Sequence, residues 1–184
     1  MSGTTLRELQ KLLVTAEPPE LGPGPRPGIL AEAALQPKLD ELFDRGEVAS
    51  AKQPLIRALV LLWHDHLEAA HIIAQSIDNA DGAFIHGIMH RREPDYGNAK
   101  YWFQRVGAHP AFPELAKRVV SFMESKNERG LAEKLVAQGR WDPFAFVEAC
   151  ERAARPQSGS AQQRLLCEIQ ALESQVLFDW FAPK

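Results

Sequence analysis

Two cysteines, Cys150 and Cys167, are the whole thiol complement of these 184 residues, and they form no C-x-x-C pair. That excludes a disulfide framework of the kind that staples small secreted domains, and fits small buried side chains in a reducing compartment. Long hydrophobic runs are missing too. The longest, Ala58 to Trp63, falls far short of the roughly 18 apolar residues that a membrane-spanning helix needs. Met1 to Glu17 carries acids among its apolar residues, which argues against a secretory signal. A cytoplasmic protein without a membrane partner is the expectation. Excess positive charge is also absent: 21 Lys and Arg against 24 Asp and Glu give a formal net charge of −3. A domain that grips a phosphate backbone is usually strongly basic, so nucleic acid is a disfavoured partner. The chain holds no P-loop, no G-x-G-x-x-G, no G-x-S-x-G and no H-E-x-x-H.

Sustained period-two alternation is lacking as well, and helical spacing takes its place. Thr5-Leu6-Arg7-Glu8 opens a capping-box pattern followed by Leu9, Leu12 and Leu13. Five prolines and three glycines then fill Pro18 to Gly28, a stretch that must be irregular or extended. It reads as an arm lying on the surface, or alternatively as a disordered linker. Pro37 suits the first turn of a helix over Lys38 to Arg45. A long apolar helix is predicted from Pro54 to about Ile77, then turn residues Asp78 to Gly82, then a helix from Ala83 to Arg92. Further helices are predicted over Asn98–Val106, Glu114–Ser125, Leu131–Gln138, Phe144–Ala154 and Ser160–Phe181, the last behind a Ser160/Gln163 capping box. The fold expected is all-α: one irregular multi-helix bundle over residues 1–184, with 1–28 as N-terminal helix and arm and 29–184 as helical core.

All six histidines fall between positions 64 and 109. No packing need explains such crowding. On an unbroken helix His64, Glu68 and His71 share one face at i, i+4 and i+7, and His86 and His90 share a face of the next helix. With Asn79 as the middle of a turn between antiparallel helices, His71 stands level with His86 and Glu68 level with His90. The metal-ligand set expected is therefore His64, Glu68, His71, His86 and His90. Imidazoles with one carboxylate suit a divalent transition metal such as zinc, iron, manganese or nickel, with a position left open for water or substrate. Asp65 is placed as a partner of His64 in proton transfer, which makes these two the catalytic candidates. His66 lies in the row of Leu59, Leu62, Ala69 and Ile73 and reads as a core histidine.

A polar segment follows. Arg91, Arg92, Tyr96, Asn98, Lys100, Tyr101 and Arg105 combine guanidinium groups with aromatic rings, a combination that holds a carboxylate or phosphate, and they are the expected substrate-binding wall. The competing reading is an ion-pair network in which Arg91 or Arg92 pairs with Glu93 or Asp95.

Two familiar patterns are incomplete. His64-Asp65 resembles the His-Asp pair of HD-domain phosphohydrolases, but no earlier histidine exists to join it; Glu68-Ala69-Ala70-His71 is one half of a ferritin-like di-iron site without a second half. Leu62-Trp63-His64-Asp65-His66-Leu67-Glu68, His86-Gly87-Ile88-Met89-His90-Arg91-Arg92-Glu93 and Asn98-Ala99-Lys100-Tyr101-Trp102-Phe103 together resemble an uncharacterised protein family over about residues 58–112. That resemblance implies no activity, cofactor or substrate. From the residues themselves the expectation is an enzyme or ligand-binding protein acting on a small polar or anionic molecule, with homo-oligomerisation open. The alternatives are an interaction module in which the cluster is a hydrogen-bond network or docking surface, and metal-free acid–base catalysis by His64 or His90.

Overall fold

The computed structural model describes residues 3–154 and 160–182. Residues 1, 2, 155–159, 183 and 184, which the expected single domain includes, lie outside the described residues. The architecture is all-α. Ten helices run in the order α1 (Thr4–Lys11), α2 (Glu32–Asp44), α3 (Gln53–Trp63), α4 (Leu67–Ala74), α5 (Ala80–Arg92), α6 (Tyr96–Val106), α7 (Phe112–Ser125), α8 (Arg129–Leu135), α9 (Pro143–Ala154) and α10 (Ala161–Phe181). A two-stranded antiparallel hairpin, β1 (Val136–Ala137) and β2 (Arg140–Trp141), sits between α8 and α9. Gln138 and Gly139, both at positive φ, form its two-residue turn, so the helix expected to reach Gln138 stops at Leu135. Among the described residues no helix is long and apolar enough to cross a membrane.

Local capping sets the start of several helices. The Ser160 hydroxyl accepts from Gln163 N–H while the Gln163 side chain accepts from Ser160 N–H, the capping box expected for α10. Asn79 caps α5 by accepting from Gly82 N–H at 3.0 Å, and Asp95 caps α6 by accepting from Asn98 N–H at 3.1 Å. α2 begins at Glu32, earlier than the Pro37 signal suggested, and takes that proline into its interior. The hydrophobic residues on these elements form one core. Leu35, Leu39, Ile56, Leu61, Ile85, Phe146, Leu166 and Leu177 are among its fully buried members, each stabilising the fold by about 1.5–3 kcal/mol through area removed from water.

The long helix expected from Pro54 to Ile77 is two helices. α3 ends at Trp63 in a Schellman motif: His66 N–H donates to Leu61 C=O at 2.9 Å, Asp65 N–H donates to Leu62 C=O at 3.2 Å, and Asp65 takes the left-handed conformation at φ 64°. Glycine normally fills that position; aspartate is one of the few other residues that visits it. Here its carboxylate is the reason. Asp65 accepts from Arg26 N–H at 2.8 Å, from the Arg26 guanidinium, and from Arg92 Nη2 at 2.6 Å, and all three side chains are buried.

The two arginines also finish the helix. Arg26 donates to Trp63 C=O and Arg92 to Leu62 C=O, carbonyls near the end of α3 where cations are favoured. Their remaining donors hold the proline-rich arm: Arg92 reaches the carbonyls of Glu20 and Gly22, and Arg26 those of Glu17 and the Thr15 hydroxyl. Gln170 of α10 donates to Pro19 and Glu20 C=O. The arm thus lies on the surface as expected and is anchored there by the buried Pro19, Leu21 and Arg26, while Pro23, Gly24, Pro25, Pro27 and Gly28 stay exposed. Gly24, at φ 81°, passes so close to Asp65 that an added Cβ would lie 2.6 Å from the carboxylate.

α5 is the central element, with every residue from Gly82 to Arg92 buried. Gly87 lets α6 approach, since a Cβ there would meet the Phe103 ring at 3.0 Å. Arg91 pairs with the fully buried Glu173 of α10, donates to Gln170, and lies 4.4 Å from the Phe146 ring centroid.

Replacing Asp65 by Asn keeps the turn and the volume but leaves two buried guanidinium groups without a counter-charge. We expect Asp65→Asn to lose about 3–5 kcal/mol in urea unfolding. A variant as stable as the parent would show that the carboxylate is not structural.

Candidate functional site

Three imidazoles meet beside α5. His71 comes from α4, which the break at Asp65 and the turn at Gln75–Asn79 set back against α5; His86 and His90 come from successive turns of α5. The His71 ring lies 4.7 Å from that of His86 and 5.5 Å from that of His90, edge-on to both, while His86 and His90 are stacked at 5.0 Å. One nitrogen from each ring lies within 4.8 Å of the others. His86 and His90 are buried and His71 half-buried, so the cluster reaches solvent on the α4 side.

The ring nitrogens are poorly supplied with hydrogen bonds. Among the described residues none of the three makes a hydrogen bond, and the Nδ1 atoms of His86 and His90 are buried without one. A neutral imidazole carries one donor and one acceptor, so leaving them unmet in the interior costs free energy. Burial, and after it the proximity of His71 and His90, pushes His86 down to about 4. His90 is lowered chiefly by burial, with Glu93 opposing. The indole of Trp102, from α6, covers His86 in a parallel stack at 3.8 Å. The Arg105 guanidinium lies over the Trp102 ring, 5.4 Å from its centroid, and Tyr101 meets that ring edge-on at 5.4 Å. Trp102 and Arg105 line a cavity of 280 Å³ with Asp78, Asn79, Ala80 and Ala83.

Two residues of the expected ligand set stand elsewhere. His64 is the C-cap of α3, on the other side of the break. Its Nδ1 accepts from Leu30 N–H at 3.1 Å, so its Nε2 carries the proton and donates to Leu12 C=O at 2.9 Å. Both nitrogens are thereby used, and no lone pair remains for a metal or a proton. Glu68 is exposed and lies outside the cluster. The shared face assumed an unbroken helix, and the left-handed residue at 65 removes it. Asp65 is likewise sealed between two arginines with no route to a substrate. His66 donates from Nε2 to Leu30 C=O at 2.8 Å and takes no part in the cluster.

The expected substrate wall divides. Arg91 and Arg92 are buried in the ion pairs with Glu173 and Asp65, so the network reading holds for them, though with distant partners in place of Glu93 and Asp95. Asn98 is exposed and bonded to Asp95, and Lys100 pairs with Glu148 at 3.3 Å. Tyr96 lines a separate 470 Å³ cavity with Leu21, Pro94 and Cys167. Only Tyr101 and Arg105 stand beside the histidine cluster, through Trp102. The thiol of Cys150 is pushed up to about 12 by burial and is chemically quiet.

His109 belongs to a different node. Its Nδ1 accepts from Ala111 N–H, so Nε2 donates to Asp81 at 2.9 Å; Asp81 also accepts from Lys52 Nζ and Trp180 Nε1. Burial alone would raise Asp81, but these hydrogen bonds outweigh it and hold the carboxyl well below the usual range. The node ties the starts of α3 and α5 to the end of α10. Trp102 belongs to the same polar and aromatic segment, and the levelling rule accounts for its stack on His86: with Pro94 as the middle of the α5–α6 turn, His86 lies 8 positions before and Trp102 8 after.

No protein-family model, curated protein or solved structure matches this chain.

The low value at His86 sets a pH dependence. In the unfolded chain His86 takes up a proton near 6.5, but in the folded protein only near 4, so between these values the unfolded state binds the extra proton. Stability of the metal-free protein should fall as pH drops from about 6.5 toward 4, and His86→Phe should flatten that slope, measured by urea midpoints. An unchanged slope in the variant would contradict the assignment.

Proposed function

We propose that the protein is a metal-dependent enzyme or ligand-binding protein, with His71, His86 and His90 holding one divalent transition metal. The observation that carries this reading is the convergence of three ring nitrogens within 4.8 Å, with the buried Nδ1 atoms of His86 and His90 lacking a hydrogen bond among the described residues. A cation between them would satisfy one lone pair on each ring. Low proton affinity at His86 favours the same outcome, because a metal binds the neutral imidazole and does not have to displace a proton at pH 7.

The donor set narrows the metal. Without Glu68 the protein ligands are all imidazole, which suits zinc, nickel or iron and argues against manganese, an ion that prefers oxygen. Three ligands leave a position for water, and the half-buried His71 side gives it a route to solvent. A metal in such a site acidifies bound water and polarises a carbonyl or phosphoryl oxygen, so metal-assisted hydrolysis or hydration of a small polar molecule is the chemistry the residues support. Around it, Trp102 holds the His86 ring from behind, and Arg105, whose partner Asp78 is a surface residue, offers a nearby cation for an anionic group.

Calorimetric titration of purified protein with zinc and nickel, together with cobalt absorption spectra, tests the reading. We expect one site per chain, affinity lowered by at least about tenfold in His71→Ala and His90→Ala, and no change in Glu68→Ala. Absence of binding in the parent protein, or full affinity in the histidine variants, would refute it.

A further inference from the structure

Among the described residues the histidine cluster makes one ion-pair contact with a carboxylate. Glu93 follows α5 directly and brings Oε2 to 3.4 Å from His90 Nδ1. The approach is not yet aligned as a hydrogen bond, for that buried nitrogen has no hydrogen-bond partner. Glu93 is exposed enough to turn the last few tenths of an ångström.

Its position is otherwise unfavourable. A carboxylate at a helix C-terminus faces the negative end of the macrodipole, and the two arginines of the last turn would be its natural partners. Neither takes it. Arg91 is committed to Glu173 and Arg92 to Asp65 and the arm, so His90 is the only side chain among the described residues that the Glu93 carboxylate pairs with. The site also lacks negative charge. Three neutral imidazoles bring none to a divalent ion, and the carboxylates acting on His90 are Glu93 first and Asp95 after it.

We propose that Glu93 is the positioning residue of the metal site, accepting the Nδ1–H of His90 and so presenting Nε2 to the metal. The proposal rests on the metal reading above. A neutral imidazole has one N–H; a carboxylate that holds the proton on Nδ1 leaves the lone pair on Nε2 and fixes the ring plane. The same contact makes the ring a stronger donor and sets a negative charge beside a buried cation. Glu93 touches no substrate in this scheme and acts only through His90.

Zinc affinity of the full chain, the unfolding of its metal-free form and the ¹⁵N spectrum of its histidines separate this role from a structural one. We expect Glu93→Ala to bind zinc about 10–100-fold more weakly, and Glu93→Gln, whose amide oxygen can still accept a hydrogen bond from Nδ1–H, to lose less. Unfolding of the metal-free variants should match the parent, because Glu93 holds nothing else. In the zinc-loaded parent, His90 should show a protonated Nδ1 and a metal-bound Nε2. Parent-like zinc affinity in Glu93→Ala, or zinc on His90 Nδ1, would overturn the proposal while leaving the metal site standing. A parent protein that binds no zinc, nickel or cobalt would overturn the metal reading, and this proposal with it.

Discussion

The buried contact of Asp65 with Arg26 and Arg92 organises the rest of the structure. One carboxylate between two guanidinium groups is an expensive arrangement unless the remaining donors are met, and here main-chain carbonyls meet them. Those carbonyls belong to the arm and to the end of α3. A single node therefore stops a helix, holds the left-handed turn, and binds a proline-rich segment that has no secondary structure to stabilise it. Because α3 stops there, α4 leaves in a new direction and carries His71 to α5.

α5 shows how a helix without an apolar stripe can occupy the centre of a fold. Its polar residues are resolved one at a time: Arg91 by Glu173, Arg92 by Asp65, and the first turn by the Asn79 cap and the Asp81 node. His86 and His90 stand apart. They are buried on the same helix and stacked on one another, His86 also on Trp102, and their Nδ1 atoms have no hydrogen bond. Arg91 Nε is buried without a partner as well, so what distinguishes the two imidazoles is that they converge with His71 as a shared ligand requires. The metal reading rests on that convergence more than on the number of histidines.

Much of the helical order was legible in the sequence, because caps and breakers are local: Ser160 with Gln163, Asn79, and the proline-rich arm act within a few residues of themselves. The pairing of His71 with His86 was legible as well, since it needs only a short turn and the rise of a helix. The break at Asp65 was not. Its cause lies 39 and 27 positions away, in Arg26 and Arg92, and no local pattern announces an aspartate in a glycine position. Missing that break put His64 and Glu68 on a face that does not exist, and made Arg91 and Arg92 seem free for substrate when distant acids had already claimed them. Trp102 was within reach of the same levelling argument that joined His71 to His86, applied to the next turn.

What joins these points is the proposed metal site, built from side chains on both sides of the α4–α5 turn. X-ray absorption of the zinc-loaded protein reads the ligand shell directly. The account predicts three imidazole nitrogens at about 2.0–2.1 Å and a light oxygen in the remaining position; a shell dominated by oxygen, or one containing a single imidazole, would contradict it.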